Sequence, residues 1–244
     1  MLEKTKGIVL RTVKYGDTSL ICSIFTADKG VQSFLVQGIR SSKSKNHKAG
    51  YLQPATLLDL VTYRKVQQQI HRLREFQPSH IYRHLQEDVR RNSVALFSVE
   101  LLWKLLPENA PMPELFQMAT DYFISLDHFP SDTLANFPLF FIIQCSELLG
   151  YSLHGSYSPE TKYLNLQEGG FTSYAPAAAP FLTDEEAQAL GQLALCRQLI
   201  DIQAIHLTGA MRSRLTEWYV QFLQRHTQHM GQLKSLPVLK AILH

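Results

Sequence analysis

The chain has 244 residues, 45% hydrophobic and 18% charged, which is ample apolar material for one large core or two smaller ones. Its three cysteines, Cys22, Cys145 and Cys196, lie far apart with no CxxC spacing, which excludes a disulfide framework and a cysteine-built metal site and suits reduced thiols in a cytoplasmic protein. The net charge of +3 is unevenly held: residues 1–75 carry 13 Lys and Arg against 5 Asp and Glu, or +8, and the remainder carries 11 against 16, or −5. A basic N-terminal third on a mildly acidic remainder is the footprint of a domain that meets a polyanion. The opening MLEKTKGIVLR lacks the apolar stretch and cleavage site of a signal peptide. The most apolar run, residues 137–149, is 13 residues long, too short to cross a bilayer, and reads as a buried helix.

Strand character fills the first 76 residues. Residues 7–15 are rich in β-branched side chains and stop at Gly16-Asp17, a turn signal. Residues 19–26 follow, closed by Asp28-Lys29-Gly30, and 31–39, 55–63 and 69–76 make three further runs. Pro54 stands just before the fourth, where a missing N–H does least harm. Five short strands with turns between them predict a small closed barrel. The long polar segment 40–50 falls where an OB-fold carries its helix or long loop, which favours that barrel over an SH3-like one.

Beyond Pro78 the apolar period changes from two to that of a helix. Helices are predicted over 79–106, apolar almost all round from 94, over 112–126 and over 134–149, the last closed by Gly150. Residues 151–180 break the pattern with Gly155, Pro159, Gly169, Gly170, Pro176 and Pro180 around a strand-like piece at 162–166. Thr183-x-x-Glu186 then reads as a capping box opening a helix, with Asp184 and Glu185 suited to the positive end of its dipole. Residues 208–225 are amphipathic, with Met211, Leu215, Trp218, Tyr219 and Phe222 on one stripe, and a last short helix follows Pro237 at 238–243. The expected architecture is α+β: a five-stranded OB-fold barrel over 1–78, then an all-α domain over 79–244 with an irregular loop or hairpin at 151–182.

No phosphate-loop, GxSxG, HExxH or GxGxxG motif occurs, so nothing points to an enzyme or a cofactor. His80 with His84, and His226 with His229, could each share a helix face, but no third ligand is placed to complete a metal site, and they read as solvated or capping side chains. The positive signal is basic. Arg11 and Lys14 lie on the first strand, Lys29 at the turn after the second, and Arg40, Lys43, Lys45 and Lys48 in a serine-bearing loop; Arg64, Lys65, Arg72 and Arg74 belong to the last hairpin. Each such cation can neutralise a phosphate and release a counterion, and loop serines can donate to phosphate oxygens. Tyr15, Phe25, Phe34, Tyr51 and Tyr63 are interleaved; Phe25 and Phe34 read as core, and the tyrosines are candidates to stack on unpaired bases. Arg90, Arg91, Arg212, Arg214 and Arg225 are local basic spots that read as solvated helix faces, each also able to hold an acidic peptide or DNA.

Several segments in order resemble one family. KGIVLRTVKYGDTSLICSIFTADKG, VQGIRSSKSK and LQPATLLDLV look like the N-terminal OB domain of RecO proteins. LLGYSLHGSYSPETKYLNLQEGGF is similar to that family's "lGy…GG" region, and QHMGQLKSLPVLKAIL to its C-terminal segment, with the helical middle alike only in character. The resemblance implies a DNA repair and recombination mediator that binds single- and double-stranded DNA and anneals complementary strands. It also implies work with RecR, and with RecF, and contact with the C-terminal tail of the single-stranded-DNA-binding protein SSB to help load RecA at gaps. It carries Arg11, Lys14, Arg40, Lys43 and Lys45 as DNA-binding positions, while Lys29, Lys48, Arg64, Arg72 and Arg74 come from charge alone. Many members hold zinc on four cysteines in the "lGy…GG" region; residues 151–180 here have none, so zinc is not expected.

The expected function is therefore a non-catalytic, cytoplasmic, nucleoid-associated DNA mediator with no membrane partner. An OB-fold RNA-binding adaptor stays open, since only the 2′-hydroxyl separates the two nucleic acids at a given site. So do a protein scaffold whose basic barrel docks acidic tails and an enzyme with a dispersed site in the helical part.

Overall fold

Alternation of apolar and polar side chains sends the N-terminal residues into strands whose inner faces share one core. The computed structural model describes residues 2–40, 48–63, 69–178, 180–228 and 230–243. The chain divides into two compact units, Met1–Glu87 with Leu105–Asp127, and Asp88–Lys104 with His128–His244. In the first unit β1 (Leu2–Tyr15), β2 (Ser19–Thr26), β3 (Gly30–Val36), β4 (Leu57–Tyr63) and β5 (Ile70–Pro78) close a barrel in the order β1-β2-β3-β5-β4. Neighbours are antiparallel except β3 and β5, which run parallel from Ser33↔Ile70 to Leu35↔Arg72. This is the predicted five-stranded OB-type barrel.

Val9, Ile24, Phe34, Leu58 and Leu60 meet inside it, and Leu52 joins them from a 3₁₀ turn over Lys48–Leu52. The Thr12 hydroxyl fixes that turn by donating to the Leu52 carbonyl at 2.7 Å. Gly7 lies where β1 is paired on both sides, and a Cβ there would stand 2.5 Å from Ile24 Cγ2 and 2.8 Å from Leu60 Cδ1. The fourth strand starts at Leu57 and not at residue 55, because Ala55 has φ 68° and its carbonyl is held by the Tyr82 hydroxyl at 2.8 Å. Burial and the neighbouring Asp127 carboxylate push the Tyr82 phenol well above its ordinary pKa, so it stays a donor.

Six helices are described: α1 (Val89–Leu105), α2 (Pro113–His128), α3 (Phe137–Leu148), α4 (Asp184–Leu195), α5 (Gly209–His226) and α6 (Ser235–Leu243). The barrel's unit includes residues 105–127, hence α2 up to Asp127. Phe116 of α2 sets its ring edge-on to Phe25 at 5.4 Å, so Phe25 is buried under the helix while Phe34 is buried in the barrel core. The approach to α2 lies along the barrel, with the Asn109 N–H donating to the Val31 carbonyl at 3.0 Å. Gly30, at φ 70°, permits this closeness, since a Cβ on it would stand 2.0 Å from the Ala110 carbonyl oxygen.

The helix expected over 79–106 begins only at Val89. Asp127 takes the backbone N–H groups of Arg83, His84 and Leu85 at 2.9, 2.8 and 2.8 Å, which removes them from any helical ladder. Asp88 is the cap, its carboxylate accepting from the Arg90 and Arg91 amides at 2.8 and 3.2 Å. In the second unit α3 starts at Phe137, later than expected, because Pro138 has no N–H to give and suits the first turn; residues 131–136 form a 3₁₀ turn instead. Its residues Phe137 to Ile143 are buried all round, as the apolar run predicts. The hairpin near 162–166 is realised and extended: β6 (Tyr163–Asn165) pairs with β7 (Gly170–Thr172) and with β8 (Phe181–Thr183), a third strand the loop-like composition conceals.

Thr183 does stand at the N-cap of α4, but the capping box does not form. Its hydroxyl donates to the Asp184 carboxylate at 3.0 Å, and Glu186 is drawn away to Arg214 at 2.9 Å. Asp184, at φ 46°, turns the chain out of β8 and donates its N–H to the Lys162 carbonyl, so the geometry a box requires is lost. Thr208 caps α5 as an ordinary N-cap, accepting from Met211 N–H at 3.2 Å. On that helix Leu215, Trp218, Tyr219 and Phe222 are buried and Met211 is half-buried.

Gly30→Ala should destabilise the protein by about 3 kcal/mol or more, adding left-handed strain to overlap with the Ala110 backbone; the shift in urea midpoint measures it. A second expectation concerns pH. Burial raises the pKa of Asp88, but the Ser131 hydroxyl, the Arg91 and Arg90 amides and the Arg91 guanidinium outweigh it and hold the group below its ordinary 3.8. Burial likewise acts on Glu100, but the Ser235 hydroxyl, the Lys234 and Ser235 amides and Lys104 hold it below 4.5. Both folded values are depressed, so the stability they contribute is complete above the ordinary carboxylate range and is lost as pH falls through the folded values. Urea midpoints measured from pH 6 to 3 should fall, and Asp88→Asn, which still caps the helix, should flatten that fall.

Candidate nucleic-acid interface

Strand register decides which barrel side chains face outward. Cys22 and Phe34 are in the core, so their neighbours on β2 and β3 point away from it. One outward row runs Arg11, Ser23, Ser33, Ile70 across β1, β2, β3 and β5. The next runs Val13, Ile21, Leu35, Arg72 and on to Tyr63 of β4. Among the described residues these rows hold two arginines and no carboxylate. At the end of the same surface the Arg40 N–H donates to the Thr18 carbonyl at 3.0 Å, which ties it to the β1–β2 turn beside Lys14 and Tyr15. Arg11, Lys14, Arg40 and Arg72 are all exposed, with Asp17 in the turn as the nearby acid in sequence.

A different arc of the barrel is balanced. Lys6 sits opposite Asp59, and Lys4 opposite Val61, which faces Glu75 on β5. A cleft of about 1040 Å³ there has Lys4, Lys6 and Lys48 on its walls together with Asp28, Asp59 and Glu75. Three cations beside three carboxylates leave little net field there.

The predicted basic residues thus separate. Arg11 and Arg72 share the outward rows and Arg40 is tied to the turn at their end, whereas Lys14, opposite the core residue Leu20, is exposed on the other face of β1. Lys29 does not join them: it lies in the turn after β2, and it is paired with Glu3, its side chain 28% exposed. Lys48 belongs to the balanced cleft. Arg74 lies on β5 with its guanidinium carbon 5.6 Å from the centroid of the Tyr63 ring and its Nε 3.1 Å from Glu75. Lys43, Lys45 and Arg64 lie outside the described residues. Lys4 and Lys6 were not singled out from sequence, although their spacing of two on a strand already puts them on one face.

The basic spots on the helices are largely occupied within the second unit. Arg91 is buried, bonded to Asp88 at 2.7 Å and to the Phe129 carbonyl. Arg212 donates to Asn136 Oδ1 at 3.1 Å and to the Leu207 carbonyl at 3.0 Å, and Arg214 pairs with Glu186. Arg90 and Arg225 remain exposed. His80 and His84 are not on a helix, and His226 is set against the Phe222 ring at 4.5 Å with its Nε2 3.2 Å from the Leu166 carbonyl; His229 lies outside the described residues. Exposed arginines with exposed Val13 and Ile70 and half-buried Ser33, Ile21 and Leu35 between them can take a flexible polyanion whose other parts are flat and apolar.

Comparison with known proteins agrees in direction. The family model described as Recombination protein O N terminal matches residues 1–82, and that described as Recombination protein O C terminal matches 86–237. A DNA repair protein RecO of Phocaeicola vulgatus is 30% identical over 245 residues, 99% of each chain. Proteins of the same description from Bacteroides fragilis and Flavobacterium psychrophilum are 29% and 27% identical, covering 99% and 98% of each chain. No helix among the described residues is long and apolar enough to cross a membrane.

Proposed function

The chain belongs to the RecO family of DNA repair and recombination proteins, and on that premise we propose that it binds single- and double-stranded DNA on the arc formed by β1, β2, β3 and β5. Arg11, Arg40 and Arg72 are the phosphate contacts there, with Lys14 on the other face of β1 and Lys43, Lys45 and Arg64 as further ones on grounds of sequence. The observation that carries this reading is the placement of exposed Arg11 and Arg72 in the outward rows of β1 and β5, with exposed Arg40 at the turn beside them.

Annealing follows from such a surface without any bond-making group. Two strands repel through their phosphates. Guanidinium groups that neutralise one backbone lower that repulsion and leave the base edges free to pair. The protein is on this reading not an enzyme. It acts in the cytoplasm on the nucleoid, and with RecR helps to load RecA onto SSB-coated gaps, meeting the SSB tail and RecF as the family resemblance implies.

Fluorescence anisotropy of a labelled single strand over a salt series tests the core of this. Arg11, Arg40 and Arg72 changed together to alanine should weaken binding and lower the slope of log K against log salt by about 2, since each contact on a single strand contributes roughly 0.7. Lys4 and Lys6 changed to alanine should leave the slope unchanged. Equal losses from both variants would remove the assignment to one arc. If the unaltered protein fails to bind at modest salt, DNA binding is wrong and the barrel is a docking surface for an acidic protein tail.

A further inference from the structure

Tyr63 occupies an unusual place on the β1-β2-β3-β5 surface and its β4 margin. It keeps 43% of its surface in solvent, while its neighbour Thr62 is buried, so strand alternation has put a large aromatic ring on the outside. It sits opposite Arg72 of β5 and Leu2 of β1. A scattered exposed tyrosine needs no explanation. Here the strand beside it is modified in a way that holds the ring. β5 pairs Glu75 with Val61 and Leu73 with Thr62, leaving Arg74 unmatched in a bulge. The bulge lets Phe76 face Leu60 and pack against the core cluster. It also frees Arg74 from a partner of its own and re-aims it, with its guanidinium over the Tyr63 ring at 5.6 Å and its Nε bonded to Glu75. Such a cation is attracted to the ring face.

We propose that Tyr63, backed by Arg74, is the base-stacking platform of this barrel and the residue through which the surface favours single-stranded over duplex nucleic acid. This rests on the DNA-binding reading above. An unpaired base offers its π face to a ring; in a duplex those faces are covered by neighbouring bases, so the platform acts on single strands alone. The guanidinium and its carboxylate hold the ring from one side before any ligand arrives, which reduces the ordering cost of binding. Arg72, directly opposite on β5, meets the phosphate of the nucleotide whose base is stacked. Leu35, Ile21 and Val13 continue the same row as an apolar track that tolerates any base.

The test uses the full chain, a labelled thymidine oligonucleotide, the same length of abasic phosphodiester, and a duplex, each titrated at one salt concentration and over a salt series. Tyr63→Leu keeps apolar bulk in the strand and removes the ring; Tyr63→Phe keeps the ring. Tyr63→Leu should bind the thymidine strand about tenfold more weakly. Its salt slope, its affinity for the abasic strand and its affinity for the duplex should all match the unaltered protein. Tyr63→Phe should stay within about twofold on every ligand. If Tyr63→Leu binds the thymidine strand as well as the unaltered protein does, the platform is wrong while DNA binding stands. Equal weakening on all three ligands also overturns it, because the ring then shapes the surface and does not stack. Failure of the unaltered protein to bind any of the three overturns both readings together.

Discussion

β1 serves two neighbours, and the barrel exists only because it can. Its first half pairs with β4 and its second half with β2, with Gly7 and Ile8 matched on both sides. A straight strand cannot close a sheet on itself; β1 holds both partners over Gly7 and Ile8, and a bulge between Val9 and Arg11 then bends it. The bulge leaves Val9 free to exchange backbone bonds with the segment before β4: its N–H goes to Thr56 and its carbonyl accepts from Ala55. Gly7 supplies the missing side chain at the point where Ile24 and Leu60 come nearest. The same bulge sets which residues of β1 face outward beyond it, so Arg11 and Val13 owe their position on the surface to the closure of the core.

Charge is sorted by the same geometry. Cross-strand neighbours on the β1–β4–β5 side place lysines near carboxylates, while the rows through β2 and β3 carry serines and aliphatic residues around their arginines. Elsewhere in the chain several arginines act as fasteners, holding a helix cap, a carbonyl or a glutamate within the second unit. A count of basic residues treats these as equivalent, and only their partners separate a fastener from an open surface. The second unit's small sheet makes a related point. Where the family resemblance would bring a cysteine module, Leu164, Leu166 and Leu182 are buried, so apolar packing does the joining.

The barrel was legible because period-two alternation and turn residues are local signals, and Gly16-Asp17 and Asp28-Lys29-Gly30 mark real turns. The buried helix at Phe137 was legible for the same reason: an apolar run declares itself. Longer-range effects were hidden. Nothing in residues 79–88 announces that Asp127, more than 40 residues on, will take three of their amides. The Thr183-x-x-Glu186 motif does mark a helix start, but its pair of bonds is absent, because Arg214 holds Glu186 from a distant helix. Of the basic set, Arg11 and Lys14 could be put on a strand from sequence. That Lys29 would be claimed by Glu3, or Arg74 laid over Tyr63, depends on pairings between strands that composition does not encode.

The barrel's unit is discontinuous in the chain: residues 88–104 are interposed between its strands and its helix α2. Chains leave the ribosome from the N-terminus at a finite pace and fold by units as they emerge. All five strands are out once Pro78 has passed, yet Phe25 stays uncovered until Phe116 arrives, some ninety residues after it was made. Helix α1 waits longer. It is complete before α2 begins, while Glu100 on it has its partner at Ser235, 135 residues downstream. Translation thus imposes an order, barrel first and helical unit last, and during that interval α1 is an apolar segment in need of shelter, which any pause in synthesis past residue 128 would prolong.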